Sequence, residues 1–226
     1  MPVKRFNKIF DDLKILFGQD EEAMGMIEKL ESKLKNIKHS HLDFFVTKQM
    51  DPGSIEQKFP LPFSSVEVGS FFLFSDGACR GNPGPGSWAA IGQNAKAEVI
   101  FESSGIDVYT TNNRMELQAA IMALQDLLGH LKEGGEYTLD QAKVFLYSDS
   151  KYVIDGISKW VPGWKARGWK KADNKAPENI QLWKEFDELA ETFTHLKFHW
   201  VRGHMGHPQN EFVDNLANHA LDDAGY

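Results

Sequence analysis

Over the first 50 residues apolar side chains recur at helical spacing, Phe6, Ile9, Phe10, Leu13, Leu16 and Phe17, then Ile27, Leu30, Leu34 and Ile37, without strand alternation. This pattern predicts two amphipathic helices parted by Gly18-Gln19-Asp20, with Asp20, Glu21 and Glu22 where a helix start favours negative charge. A third helix is expected over about 39–50. Between Asp51 and Ser70, Asp51-Pro52-Gly53, Pro60, Pro62 and paired serines read as a connector. From Ser70 the pattern changes, and five strands are predicted: Phe71–Ser75, Trp88–Gly92, Glu98–Ser103, Lys143–Ser148 and Leu196–Val201. Helices are predicted over about 112–130, 150–159, 178–193 and 209–222. Three early strands close together imply an antiparallel meander, and later strands alternating with helices imply parallel additions. The expected fold class is α/β, a five-stranded mixed sheet flanked by helices. The expected organisation is a helical extension over 1–50, a linker over 51–69 and an α/β domain over 70–226.

Composition narrows the setting. At 226 residues and 42% hydrophobic, the chain can bury a substantial core. The single cysteine, Cys79, excludes an intramolecular disulfide and suits a reducing, cytoplasmic compartment. Apolar runs such as Phe71–Phe74 and Val144–Tyr147 fall far short of the roughly 20 residues that cross a bilayer, and no apolar signal core opens the chain, so no membrane partner is expected. A net charge of −7 argues against binding nucleic acid by overall basicity. Positive charge is instead concentrated locally: Lys159, Lys165, Arg167, Lys170, Lys171 and Lys175 face one acid, Asp173, interleaved with Trp160, Trp164 and Trp169.

Four acids stand out by position. Asp76 and Asp149 each close an apolar strand, at the edge of the core where α/β sheets bind ligands. Glu116 begins a helix with the apolar stripe Leu117, Ile121, Leu124 and Leu128, and Asp214 borders Phe212, Val213, Leu216 and Ala217. Singly, each acid is explained as well by capping a helix or complementing its dipole. Spacing alone does not make them converge.

Four blocks carry a resemblance: Phe74-Ser75-Asp76-Gly77-Ala78-Cys79-Arg80-Gly81-Asn82-Pro83-Gly84-Pro85-Gly86; Thr111-Asn112-Asn113-Arg114-Met115-Glu116-Leu117; Tyr147-Ser148-Asp149-Ser150-Lys151-Tyr152-Val153; and Trp200-Val201-Arg202-Gly203-His204-Met205-Gly206-His207-Pro208-Gln209-Asn210-Glu211. In order and spacing they resemble the type-1 ribonuclease H family over about residues 71–226. The resemblance implies a ribonuclease H-like sheet and an endonuclease that cuts the RNA strand of RNA–DNA hybrids, leaving 5′-phosphate and 3′-hydroxyl ends. It implies Asp76, Glu116, Asp149 and Asp214 as carboxylate ligands of two Mg²⁺ ions, with Mn²⁺ as a substitute and Asp76 bridging. Mutual repulsion among such acids is relieved by hard divalent cations, which activate water and stabilise a leaving oxygen. His204 would assist proton transfer or product release.

The same resemblance assigns Asn82, Asn112 and Asn113 to the minor groove of the hybrid, where 2′-hydroxyls mark RNA, and Thr111 to a DNA-strand phosphate. The segment carrying Trp160, Trp164, Lys165, Arg167, Trp169, Lys170 and Lys171 becomes a basic hook on the DNA strand, against the plainer reading of a solvated charged loop. Lys151 stands where many bacterial relatives carry glutamine, which implies an altered substrate contact.

His199, His204 and His207 lack the cysteines of a zinc site, and His207 before Pro208 is expected to fix its loop. Gly81–Gly86 lacks the Walker ending and is expected to be a tight hairpin turn, with Cys79 a bystander. The extension departs from the minimal family; its apolar faces call for packing or self-association, with Lys29, Lys33, Lys35 and Lys38 a weak substrate contact at most. A monomer is otherwise expected. Two other functions compete: a DNA-acting transferase or resolvase of the same superfold, which would lack the asparagine and histidine blocks, and a silent hybrid-binding module, which would have lost a carboxylate.

Overall fold

The computed structural model describes Lys14, Asp20 and residues 23–29, 59–62, 66–134, 136–203 and 206–226. Two compact units divide the chain, Met1–Val46 and Thr47–Tyr226. In the first, a helical segment over 23–29 starts where the Asp20 side chain accepts from the Ala23 N–H at 3.0 Å. That is the capping expected of an acid at a helix start. The rest of the helices expected over 1–50 lies outside the described residues.

The second unit is a five-stranded sheet of order β3-β2-β1-β4-β5. Its strands are β1 (Ser70–Cys79), β2 (Gly84–Asn94), β3 (Val99–Thr110), β4 (Lys143–Ser148) and β5 (His195–Trp200). The first three pair antiparallel, while β1 pairs parallel with β4 and β4 with β5. The mixed sheet matches the expectation. Helix α1 (Asn112–Lys132) follows the meander, α2 (Lys151–Asp155) runs through a π-helical turn over Gly156–Trp160 into α3 (Val161–Ala166), and α4 (Ile180–Ala190) and α5 (Pro208–Asp223) complete the unit.

Period-two alternation along β1 builds two cores. Phe71 and Leu73, with Val144 and Leu146, face Leu117, Ile121, Leu124 and Leu127 of α1 and Trp183 and Phe186 of α4. Phe72 and Phe74 face the opposite way, with Ile91, Tyr147 and, from α5, Val213 and Ala217. Leu128, expected in the α1 stripe, is only partly buried, and Leu127 takes the core position. No described helix is long and apolar enough to cross a membrane.

The three meander strands and the helix expected over about 150–159 outrun their predicted ends. Glycine, which ordinarily weakens a strand, here permits one: a Cβ on Gly105 would lie 2.7 Å from the Trp88 ring, so glycine is what lets β3 continue beneath the indole. The turn expected over Gly81–Gly86 is shorter, because Gly84 already begins β2. The helix expected to end near 159 continues to Ala166, since Pro162 sits in the first turn of α3, where a missing N–H costs little. At the π turn, a Cβ on Gly156 would meet the Trp183 ring at 2.0 Å, so the turn seats directly on α4.

Candidate active site

The parallel register carries the first two acids together. Phe74 pairs with Tyr147, so Asp76 and Asp149, each two residues on, reach the same level of adjacent strands. Asp76 lies within β1, which runs on to Cys79, and Asp149 follows β4. Glu116 arrives from α1 by close backbone contact: a Cβ on Gly77 would lie 2.3 Å from the Glu116 nitrogen. Only glycine at 77 lets the strand touch the helix backbone at Met115 and Glu116. Asp214 comes from the second turn of α5, beside the buried Val213.

The four acids bear on one another electrostatically. Asp76 is 9% exposed, and its carboxyl is raised from 3.8 to about 8, first by burial, then by the charges of Asp149, Asp214 and Glu116, against the pull of the Gly77 N–H. Glu116 is also raised by burial, with Asp149 adding to the effect and the Ser150 and Asn112 donors opposing it. Its two oxygens accept from Ser150 Oγ at 2.6 Å and Asn112 Nδ2 at 2.8 Å. Asp149 Oδ2 accepts from Asn210 Nδ2 at 3.2 Å, and Asp214 from Asn218. Among the described residues, no three His, Cys, Asp or Glu side chains form a ready metal cage. The donor set nonetheless fits a divalent cation, because its ligands are hard carboxylate oxygens and the cost of ionising Asp76 is what nearby positive charge relieves.

The asparagine blocks meet beside this edge. Asn82 Oδ1 accepts from the Asn112 N–H at 3.3 Å, and Asn82 and Asn113 are exposed. Thr111 occupies the N-cap of α1 without a side-chain capping bond. Lys151 lies 4.8 Å above the Trp200 ring, whose Nε1 donates to the Asp149 carbonyl at 2.8 Å. His204 lies outside the described residues. His207 is exposed at the N-cap of α5 and gives no capping bond; the loop is tied instead by the Gly206 N–H donating to Glu211 Oε1, since a carboxylate reaching back is the stronger acceptor.

The hook is more heavily paired than its composition suggests. Lys165 is held between Asp187 at 2.7 Å and Glu191 at 2.6 Å, which raises its pKa. Lys159 pairs with Asp155 and Lys175 with Asp173. Arg167 donates to the Lys170 carbonyl, and Lys170 is exposed. Trp164 and Trp169 pack against the core, while Trp160 stays 38% exposed with its ring 6.0 Å from Trp164.

Ser150, Asn210 and Gly203 escaped the sequence reading as site residues. Ser150 both caps α2, accepting from the Val153 N–H, and donates to Glu116. A Cβ on Gly203 would lie 2.5 Å from Asp149 Oδ2. Each stands within a quoted block, but pairwise contact between distant blocks leaves no periodic signal.

The RNase H family model matches residues 69–222. A ribonuclease H of Agrobacterium fabrum is 47% identical over 150 residues, covering 66% of this chain and 93% of that protein. Among solved structures, LC9-RNase H1, a type 1 RNase H with the type 2 active-site motif, is similar at a TM-score of 0.58 and 31% identity, over 71% of this chain and 75% of that one. LC11-RNase H1, solved in complex with an RNA/DNA hybrid, is similar at a TM-score of 0.52 and 26% identity, over 68% of this chain and 98% of its own.

Proposed function

The chain belongs to the ribonuclease H family, and from that premise we propose that it is an endonuclease that hydrolyses the RNA strand of RNA–DNA hybrids, with Asp76, Glu116, Asp149 and Asp214 as its catalytic acids. The observation that carries this reading is the convergence of the four: Asp76 and Asp149 reach one level of adjacent strands, Glu116 abuts β1 at Gly77, and the charges of Asp149, Asp214 and Glu116 add to the burial that raises Asp76. The family's nucleases depend on divalent metal ions. Here the four carboxylates would hold two Mg²⁺, or Mn²⁺ in its place, supplying the positive charge that favours attack of water on phosphorus and departure of the 3′ oxygen.

The chain's own groups do the rest. Ser150 and Asn112 fix Glu116, and Asn210 fixes Asp149, so the acids meet the phosphodiester in defined orientations. Asn82, Asn112 and Asn113 would bear on the minor groove, where the 2′-hydroxyl selects RNA, and Thr111 on a DNA-strand phosphate. The hook would grip the backbone through Trp160, Arg167, Lys170 and Lys171, with Lys151 at the Trp200 ring beside them, while Trp164 and Trp169 in the core and Lys165 on its acids would brace it. His204 would pass a proton to the leaving oxygen, giving 3′-hydroxyl and 5′-phosphate ends. A cytoplasmic monomer completes the reading, with a helical extension over 1–50, a connector over 51–69 whose Phe59, Leu61 and Val66 pack on the catalytic body, and the catalytic domain over 70–226.

The test is cleavage of hybrid, single-stranded RNA, double-stranded RNA and double-stranded DNA by the full chain, with Mg²⁺ and with chelator. Cutting of hybrid alone, and only with metal, is expected; cutting of double-stranded DNA, or cutting in chelator, sinks the proposal.

A further inference from the structure

Residues 59–62 precede the family match at 69–222, and by composition they belong to a connector. In the structure they are built into the catalytic body. Phe59 is 7% exposed, lies in the core under α5 and sets its ring 5.2 Å from that of Phe212. Leu61 and Val66 pack against the same core.

Buried amides lock this strap to the first turn of α5. Gln209 Nε2 donates to the Pro60 carbonyl at 2.6 Å and to Gln93 Oε1 at 3.0 Å. Gln93 Nε2 in turn donates to the Phe59 carbonyl at 3.2 Å and the Ala97 carbonyl at 3.3 Å. Both glutamines are buried, so each bond lost would leave an unsatisfied polar group out of reach of water. The residue after Gln209 is Asn210, which holds Asp149 at 3.2 Å, and Asp214 lies one turn further on. One helical turn is thus fixed from behind by the strap and from the front bears on two of the four acids.

The structure assigns the strap Phe59–Leu61 and Gln209 a positioning role: they set the first turns of α5, and through Asn210 and Asp214 they set the acid site. This inference rests on the ribonuclease reading of that site. Packing alone would hold the strap without touching catalysis; positioning makes turnover and cation binding depend on it.

The experiment uses the full chain with Phe59→Ala, Phe59→Leu and Gln209→Met, the last keeping volume while removing both hydrogen bonds. It measures kcat and KM on hybrid, Mn²⁺ affinity by calorimetry, and amide exchange over 209–214. Partners one step behind metal ligands are worth about tenfold or more in activity or affinity. For Phe59→Ala and Gln209→Met we expect kcat and Mn²⁺ affinity to fall about tenfold each, KM to change little and exchange over 209–214 to quicken. Phe59→Leu is expected to recover most of kcat. Loss of thermal stability with kcat, Mn²⁺ affinity and exchange at wild-type values would overturn the inference. Should Phe59→Ala not fold, Gln209→Met decides. Should the wild type cut no hybrid, the ribonuclease reading fails, while exchange and Mn²⁺ titration of the variants still judge the strap.

Discussion

Asp76→Asn separates folding from function at one atom. In the fold its carboxyl is raised from 3.8 to about 8, chiefly by burial and then by three neighbouring acids. Between those two values the native state binds a proton that the unfolded chain has released, so stability falls as pH rises through the window and levels off above about 8. At about 1.4 kcal/mol per pH unit the full shift corresponds to roughly 5–6 kcal/mol, a ceiling because the coupled acids share it. Asparagine carries no charge to bury. In chelator, wild-type stability should therefore decline from pH 5 to pH 8, whereas the variant should decline less steeply, keeping only the part owed to other raised acids such as Glu116, and exceed wild type at pH 8 by about 3 kcal/mol, some 6–12 °C in Tm. Saturating Mg²⁺ should narrow the gap by stabilising the wild type, and Asp76→Asn should lose cleavage while still binding hybrid. Thermal unfolding of both proteins at four pH values, with and without Mg²⁺, measures this. Parallel pH profiles in chelator would refute the burial and repulsion assigned to Asp76.

Gly77→Ala places a Cβ 2.3 Å from the Glu116 nitrogen, a backbone atom that cannot rotate away; urea unfolding should show a loss of about 2–3 kcal/mol, and cleavage should fall with it. Ser150→Ala removes the α2 cap and one Glu116 partner together, so about 1 kcal/mol of stability and about tenfold in kcat should be lost, read from the same urea curves and steady-state kinetics. Replacing Arg167, Lys170 and Lys171 with Ala should flatten the salt dependence of hybrid binding by a log–log slope of about 2. Lys165→Ala should leave that slope nearly unchanged and lower thermal stability instead, because its charge is already committed to Asp187 and Glu191.

What the sequence made legible was whatever repeats locally. Strand β4 falls on its predicted Lys143–Ser148, because an unbroken apolar run has one solution in a buried parallel strand. The ends of β2 and β3 were hidden because Gly84 and Gly86 belong to an expected turn and a glycine such as Gly105 carries no strand signal, whereas close approach to the Arg80 carbonyl, Thr110 and Trp88, in that order, makes the three fit a strand. The four acids were legible only as a set, through the resemblance of whole blocks. The pairing of Lys165 was hidden for the opposite reason: its acids, Asp187 on α4 and Glu191 at the end of that helix, sit some 22–26 positions away, where composition around the hook does not look. Gln209 and Phe59 were missed likewise, since a contact across about 150 positions leaves no trace in either neighbourhood.

The partners chosen for the four acids are themselves informative. The Gly77 N–H holds Asp76, Ser150 and Asn112 hold Glu116, Asn210 holds Asp149, and Asn218 holds Asp214. Every one of these donors is neutral, and none of the described ion pairs includes any of the four acids. A lysine or arginine in any of these places would orient a carboxylate equally well, but it would also spend the negative potential that draws a divalent cation and would itself compete for the oxygens. Amides and hydroxyls orient without neutralising. That leaves Asp76 raised by burial and by its neighbours' charges, a cost borne in the fold that a divalent cation would relieve. Lys159, Lys165 and Lys175 are used away from this edge instead, at Asp155, Asp173, Asp187 and Glu191, where ion pairs fasten the hook without quenching the acids.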